Sequence, residues 1–589
     1  MPPALSPRSA AGLAALLCLA AAPPEPAPDV PLSLAAHAGR CTFVLPAGGS
    51  GDKYLLIVGS LSRGTGTHRV TVRTAATEDS VALPPADDDP GPAWRRYTND
   101  AADRLERARK NRPPVDDYPP AADPPRRRDF YVFTGGNNFA DHASFAPVHG
   151  ELRGTGRHCL VYVDAAHPDP VSLQPAVDEV IRVFDGSVFP AARAEQGRCL
   201  DVDRDGRFTV LFSGRLSRLA AGQTAVSGFV RGTDFYRDTG PPYGNRCDML
   251  YLSTDLRPGP FLRTVVAHEY THAVVFSEHL FGDHLPGVPR AEEESWLNEG
   301  LAHLAERRHG FGWGNLDYRV SCFLAAPQRY PLVVPDYYGA GLWRDPGCRG
   351  AAYLFLHACA CENAGLPAKL VQSNLAGVAN LETATREPFA ALFRRWTIAL
   401  ARGTVPGGHD LHKPLGGRLL CGVHKDEVPL TGGRWESDVA GTAAAYLLLH
   451  SPGEKQTRVT VECDAGADLQ VTLLRLPAGS PRLSLSAERV RPGAYRLTVT
   501  AHDTAVTLEE TVWEKAASTG TAEDTNYRPE GPPGSAVRAW FGERKLAAGE
   551  ERTSGVIELP ADGAARVFKV SGRDTEGRAV AAWAEVGRE

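Results

Sequence analysis

Two methionines, at positions 1 and 249, are all that 589 residues contain, and no two cysteines are spaced C-x-x-C. The second absence excludes a cysteine zinc knuckle. Charge of either sign is barely in excess: 64 Lys and Arg against 70 Asp and Glu leave −6. So weak an imbalance over this length excludes a polybasic nucleic-acid surface and a strongly acidic coat. No G-x-S-x-G turn supports a serine triad. No glycine loop of the phosphate-binding type occurs, nothing repeats at a fixed period, and no apolar run reaches the length of a membrane span.

What is present points to export. Arg8 precedes a short apolar run, Ala10 to Ala22, with a small-residue tail. That is the pattern of a secretory signal peptide over residues 1–22, and it predicts a secreted chain, extracellular or periplasmic. Without Cys18 ten cysteines remain, an even number that in an exported chain predicts disulfide bonds.

Several domains are expected from the length. Residues 23–82 read as an N-terminal β unit, from alternating runs such as "KYLLIVGSL" and "HRVTVRTA". Residues 83–128 are rich in proline and charge and read as a linker, with room for one exposed helix. Residues 129–405 are mixed. "CLVYVDA", "RFTVLFSG" and "DMLYLST" read as strands, and an apolar run from about Pro260 to His279 reads as a buried helix. Further helices are predicted from near Glu292, over 350–363 and over 386–402. From 418 to 515 the strands predict a β-sandwich. Residues 516–535 are a linker and 536–589 a small C-terminal β unit.

Inside the buried helix stands "VVAHEYTHAVVF", Val265 to Phe276. His268 and His272 are four apart, so both imidazoles lie on one helix face, one turn apart, where they can grip one metal ion. Glu269 lies toward the edge of that face, where it can reach a metal-bound water without becoming a ligand. This is the H-E-x-x-H arrangement of a zinc hydrolase. Two histidines leave the shell incomplete. "ESWLNEGLAHLAE" offers Glu299 on the next helix as the third ligand, with 26 residues between it and His272. Glu306 lies on the same helix face as Glu299. It and Asn298 are expected to accept hydrogen bonds from the ligand histidines.

W-L-N-E-G-x-A after H-E-x-x-H resembles the gluzincin peptidases. The order of "HCLVYVDAAHP", "CLDVDRDGRFTVLF", "CDMLYLST", "VVAHEYTH", "WLNEGLAHLAE" and "RGAAYLFLHA" resembles the hyicolysin-type bacterial metallopeptidases of that clan, over roughly residues 129–405. The resemblance implies an α+β zincin-like domain with the active-site helix between two lobes. Here it would carry additional β-rich, sandwich-like modules at both ends. It implies one catalytic Zn²⁺ on His268, His272 and Glu299, Glu269 as general base, and a protein or peptide substrate. Many members carry Tyr-Gly where this chain has Arg349-Gly350, which leaves the donor to the oxyanion open. Tyr353, Tyr337, Tyr338 and His303 are the candidates, with Tyr353 favoured. The G-x-M-E-N motif that reads a free amine in the aminopeptidase branch is absent, which favours an endopeptidase over an aminopeptidase. The rival from another class is a surface- or matrix-binding protein with a vestigial zinc site. The intact Glu269 argues against it, although the C-terminal β modules remain available for binding a surface or a polymer.

"DVDRDGRFTVLF" is a second constellation. Asp201, Asp203, Asp205 and Gly206 match the first half of a calcium loop. Position twelve, where a bidentate Glu belongs, is Phe212, and a strand follows instead of a helix. The segment is either a partial Ca²⁺ site or an Asp-rich turn.

Overall fold

The computed structural model describes residues 29–587 apart from 48–52, 79–84, 87, 112–117, 136–139, 220–225, 283–288, 344, 406–408, 417, 431, 451–454, 516–535 and 561–564. The signal segment 1–22 and the linker 516–535 lie outside the described residues.

The two predicted β units at 23–82 and 418–515 are not separate. Strands from both ends of the chain interleave into one sandwich. Its five-stranded sheet runs Leu32–Leu34, Leu469–Leu476, Lys53–Ser60, Ala444–His450, Asp426–Val428. Its four-stranded sheet runs Arg434–Ala440, Thr67–Thr77, Gln456–Glu462, Arg40–Leu45. Phe43, Leu56, Val58, Val72, Leu447, Val459 and Leu473 fill the space between the sheets. Lys53–Ser60 is buried on both faces: Leu56 and Val58 point into the sandwich, and Leu55 and Ile57 into the core of the helical region. That explains its unbroken apolar stretch, because a strand covered on both sides loses its polar alternation.

The remaining strands of the predicted 418–515 unit join the C-terminal unit. Leu483–Arg491 and Ala494–Ala501 pair with Glu551–Glu558, while Val506–Lys515 pairs with Arg566–Asp574. Leu497, Val499, Leu508, Phe568 and Val570 form their common core. The domain boundary therefore falls between 476 and 483.

The predicted linker 83–128 is largely folded. Pro92–Lys110 is a helix with Thr98, Ala101, Ala102 and Leu105 buried. It is tied to the central region by Arg386 to Asp103 at 2.6 Å and by Trp94 Nε1 donating to Glu382 at 3.4 Å. Proline density marks its approach, but the helix buries an alanine face too plain to stand out as amphipathic.

The central region is built on a six-stranded sheet in the order Arg127–Phe133, Phe145–Thr155, Cys159–Asp164, Phe208–Ser213, Met249–Ser253, Gly228–Phe229. The third, fourth and fifth strands are parallel and fully buried. Gly228–Phe229 is a short antiparallel edge. Behind this sheet runs the helix Pro260–Phe281, which starts at Gly259 with proline in its first turn, the favoured place for a residue without an N–H. Most of its residues are buried, as suits a helix apolar all round. Tyr270 packs edge-on against Phe184 and Phe208, fixing the helix to the sheet. Ser295–His309 crosses it and ends on Gly310 in the left-handed conformation. Asp317–Ala325, Pro346–Glu362 and Phe389–Ala401 complete the helical layer. No helix among the described residues is long and apolar enough to cross a membrane.

Candidate metal centre

His268 and His272 project from one face of Pro260–Phe281, and their Nε2 atoms lie 3.1 Å apart. Glu299 comes from Ser295–His309 and places Oε2 3.3 Å from His268 Nε2 and 3.9 Å from His272 Nε2. One ligand atom from each of the three lies within 4.8 Å of the others. The far nitrogens are engaged elsewhere. His268 Nδ1 donates to Glu306 Oε1 at 2.6 Å, and His272 Nδ1 donates to Asn298 Oδ1 at 2.9 Å. Both partners can only accept at those atoms, so each Nδ1 carries a proton and each Nε2 turns inward, as a lone pair wherever the ring is neutral. Glu299 Oε2 is buried with no hydrogen-bond donor. Groups converging at such distances can share a proton or hold a metal ion between them, and two imidazoles with one carboxylate are a zinc donor set.

The electrostatics agree. Burial opposes a charge on His268, but the bonds to Glu299 and Glu306 outweigh it and push the imidazole up to about 10. Without a metal His268 therefore carries both protons and its Nε2 faces Glu299 as a donor; a metal would have to displace that proton. His272 is pushed down to about 4, by burial first. Glu299 is held well below the carboxylate range: burial would raise it, but Arg349 and the histidines prevail. Glu269 is 8 % exposed, and burial pushes its carboxyl up to about 7. A group that exchanges a proton near neutrality beside a metal is suited to general base work.

Glu306 is the anchor below the site. Its Oε1 accepts from His268, from His303 Nδ1 at 2.9 Å and from Asn315 Nδ2 at 2.7 Å. Arg319 Nη1 in turn donates to Asn315 Oδ1 at 2.5 Å. Asn315 and Arg319 carry no motif and lie on the next element, so sequence reasoning missed them.

The oxyanion candidates separate. Tyr353 does not face the metal side. Its ring stacks on His357 and meets His303 edge-on, and its hydroxyl bonds Arg307, beside Glu306 on the Nδ1 side of His268. Its position at the head of a helix after the motif concealed that orientation. His303 is fully buried under Glu306. Tyr338 is exposed and stacked on Trp343. Tyr337 is buried under the influence of Glu299 and Arg349, and its hydroxyl has no hydrogen-bond partner among the described residues. Gly228 of the edge strand lies close by: a Cβ there would sit 3.2 Å from Glu269 Cγ and 3.0 Å from Val265 Cγ1. The edge strand thus packs directly beside the base.

Asp201, Asp203 and Asp205 also cluster. Arg128 donates to Asp203 Oδ2 at 2.6 Å, the Gly206 N–H to Asp201 Oδ2 at 3.0 Å and the Arg207 N–H to Asp205 Oδ1 at 2.8 Å. Asp201 Oδ1 and Asp203 Oδ1 have no hydrogen-bond donor. Phe212 is buried in its strand. The ten cysteines after Cys18 are unbonded, six of them buried.

No family model matches the chain, and no curated protein matches it. Among solved structures, a calcium-binding mutant of Bacteroides uniformis beta-glucuronidase 2 aligns at 14% identity and a TM-score of 0.13, over 25% of this chain and 21% of that one. The same enzyme covalently bound to cyclophellitol-6-carboxylate aziridine aligns at 12% and 0.12, with the same coverage. The match thus spans about a fifth of that enzyme's length, and overlap this slight carries no argument about fold or function.

Proposed function

We propose that the chain is a secreted zinc-dependent endopeptidase. The observation that carries the reading is the convergence of His268 Nε2, His272 Nε2 and Glu299 Oε2, with both Nδ1 atoms bonded elsewhere and the buried Glu269 alongside. Bound there, zinc would polarise the scissile carbonyl and acidify a water. Glu269 then accepts the water's proton and returns it to the departing amine. Glu306 and Asn298 hold the two imidazoles in the ligating tautomer. Tyr337 is the proposed hydrogen-bond donor to the developing oxyanion. An extended peptide pairing with the edge strand Gly228–Phe229 would pass beside Glu269, which suits cleavage within a chain.

The deciding experiment pairs zinc content with casein hydrolysis, on wild type and Glu269→Gln. One zinc per chain with activity only in wild type supports the reading. Zinc without activity in either points to a binding protein with a vestigial site. A wild type that takes up no zinc removes the His268, His272 and Glu299 assignment.

A further inference from the structure

Resting on that reading, we infer that Arg349 is a positioning residue that confines Glu299 to a single ligating oxygen. Arg349 Nη2 lies 2.7 Å from Glu299 Oε1, while Oε2 faces the two histidines and has no hydrogen-bond donor. Each of the three ligands thus has its second heteroatom claimed: His268 by Glu306, His272 by Asn298, Glu299 by Arg349. A carboxylate with both oxygens free can close on a metal with both. One whose Oε1 is held by a guanidinium offers a single atom and leaves a position for water.

Arg349 is itself placed by packing. The helix Pro346–Glu362 begins with Asp345 accepting from the Cys348 N–H at 3.0 Å, and Arg349 stands in its first turn. The next residue, Gly350, lies so near the neighbouring helix that a Cβ would be 2.2 Å from the Arg319 carbonyl oxygen. The glycine lets the helix approach, and the approach delivers the guanidinium to Glu299. The pair is largely shielded, with 19% and 14% of the two side chains exposed, so the contact is not an exposed ion pair of small effect.

X-ray absorption at the zinc edge of the loaded wild-type protein tests this directly. The expected first shell has two imidazoles, one carboxylate oxygen and one water. Arg349→Gln should add a second carboxylate oxygen. It should also tighten zinc by roughly tenfold in chelator competition, the usual reach of residues behind a ligand, because a neighbouring positive charge is removed. Arg349→Lys, which keeps a cation on Oε1, should retain the wild-type shell. Two carboxylate oxygens in wild type, or an Arg349→Gln protein that folds with an unchanged shell and affinity, would overturn the inference. Weaker zinc with an unchanged shell would also overturn it, since that is what a purely structural role predicts. If Arg349→Gln does not fold, the wild-type edge and the lysine variant decide. A wild type that binds no zinc fails earlier, on the metal centre itself.

Discussion

The chain holds two clusters that look like metal sites by residue type, and they differ in where a positive charge already stands. At His268, His272 and Glu299 the hydrogen-bond donors stand behind the ligands, and the inward atoms meet no donor. At Asp201, Asp203 and Asp205 a guanidinium and two backbone N–H groups take one oxygen from each, while Asp201 Oδ1 and Asp203 Oδ1 meet no donor among the described residues. The first arrangement leaves its inward atoms to a proton or a metal ion. The second already contains a cation in Arg128. Residue type brings a metal into question, and the position of the donors decides how strongly it is demanded.

The largest effect expected is that of Glu269→Gln, which should keep zinc and lose about 10³-fold in peptide hydrolysis, read as kcat/KM. Next, Glu306→Ala should weaken zinc 10–100-fold, by roughly the usual cost of removing a partner behind a ligand. Asp203→Ala should leave zinc untouched, and an equal loss in both variants would erase the distinction between the clusters. Gly350→Ala should destabilise the fold by about 1–3 kcal/mol in urea denaturation, as overpacking does, because its new methyl meets the Arg319 carbonyl. The acid limb of the kcat/KM profile should follow protonation of Glu269, which burial raises toward about 7 and a neighbouring zinc would draw back down. The carboxylate is the working form, so activity holds above its pKa and falls about tenfold per unit below it. A limb flat down to pH 5 would remove Glu269 as the base. The smallest effect belongs to the Asp loop. Calorimetry on stripped protein should find calcium binding of about millimolar strength at best, and micromolar binding would break the contrast.

The parts of the site that were legible share a cause. His268, Glu269 and His272 sit on one helix, where spacing alone sets direction. Asn298, Glu299 and Glu306 share a second helix, with the same benefit. Arg349, Asn315, Arg319 and Tyr337 come from other elements, and nothing local says that they converge. Tyr353 shows the same limit: its place in the chain was clear, but its bond to Arg307 was not. The strands of the β modules were legible from alternation, but their partners were not. Thr67–Thr77 pairs with Arg434–Ala440 and Gln456–Glu462, more than three hundred residues away.

By itself the sequence determined a buried helix from Pro260, two histidines on one face of it, a glutamate beside them and a second helix that brings Glu299. Those follow from the 3.6-residue turn, which acts over neighbouring residues. Only the tertiary structure decided which heteroatoms of those residues stay free, which cation holds the second oxygen of Glu299, and which distant strands close each sandwich. These depend on contacts between segments far apart in the chain, where side-chain packing and the satisfaction of buried polar groups, not local period, select the partner.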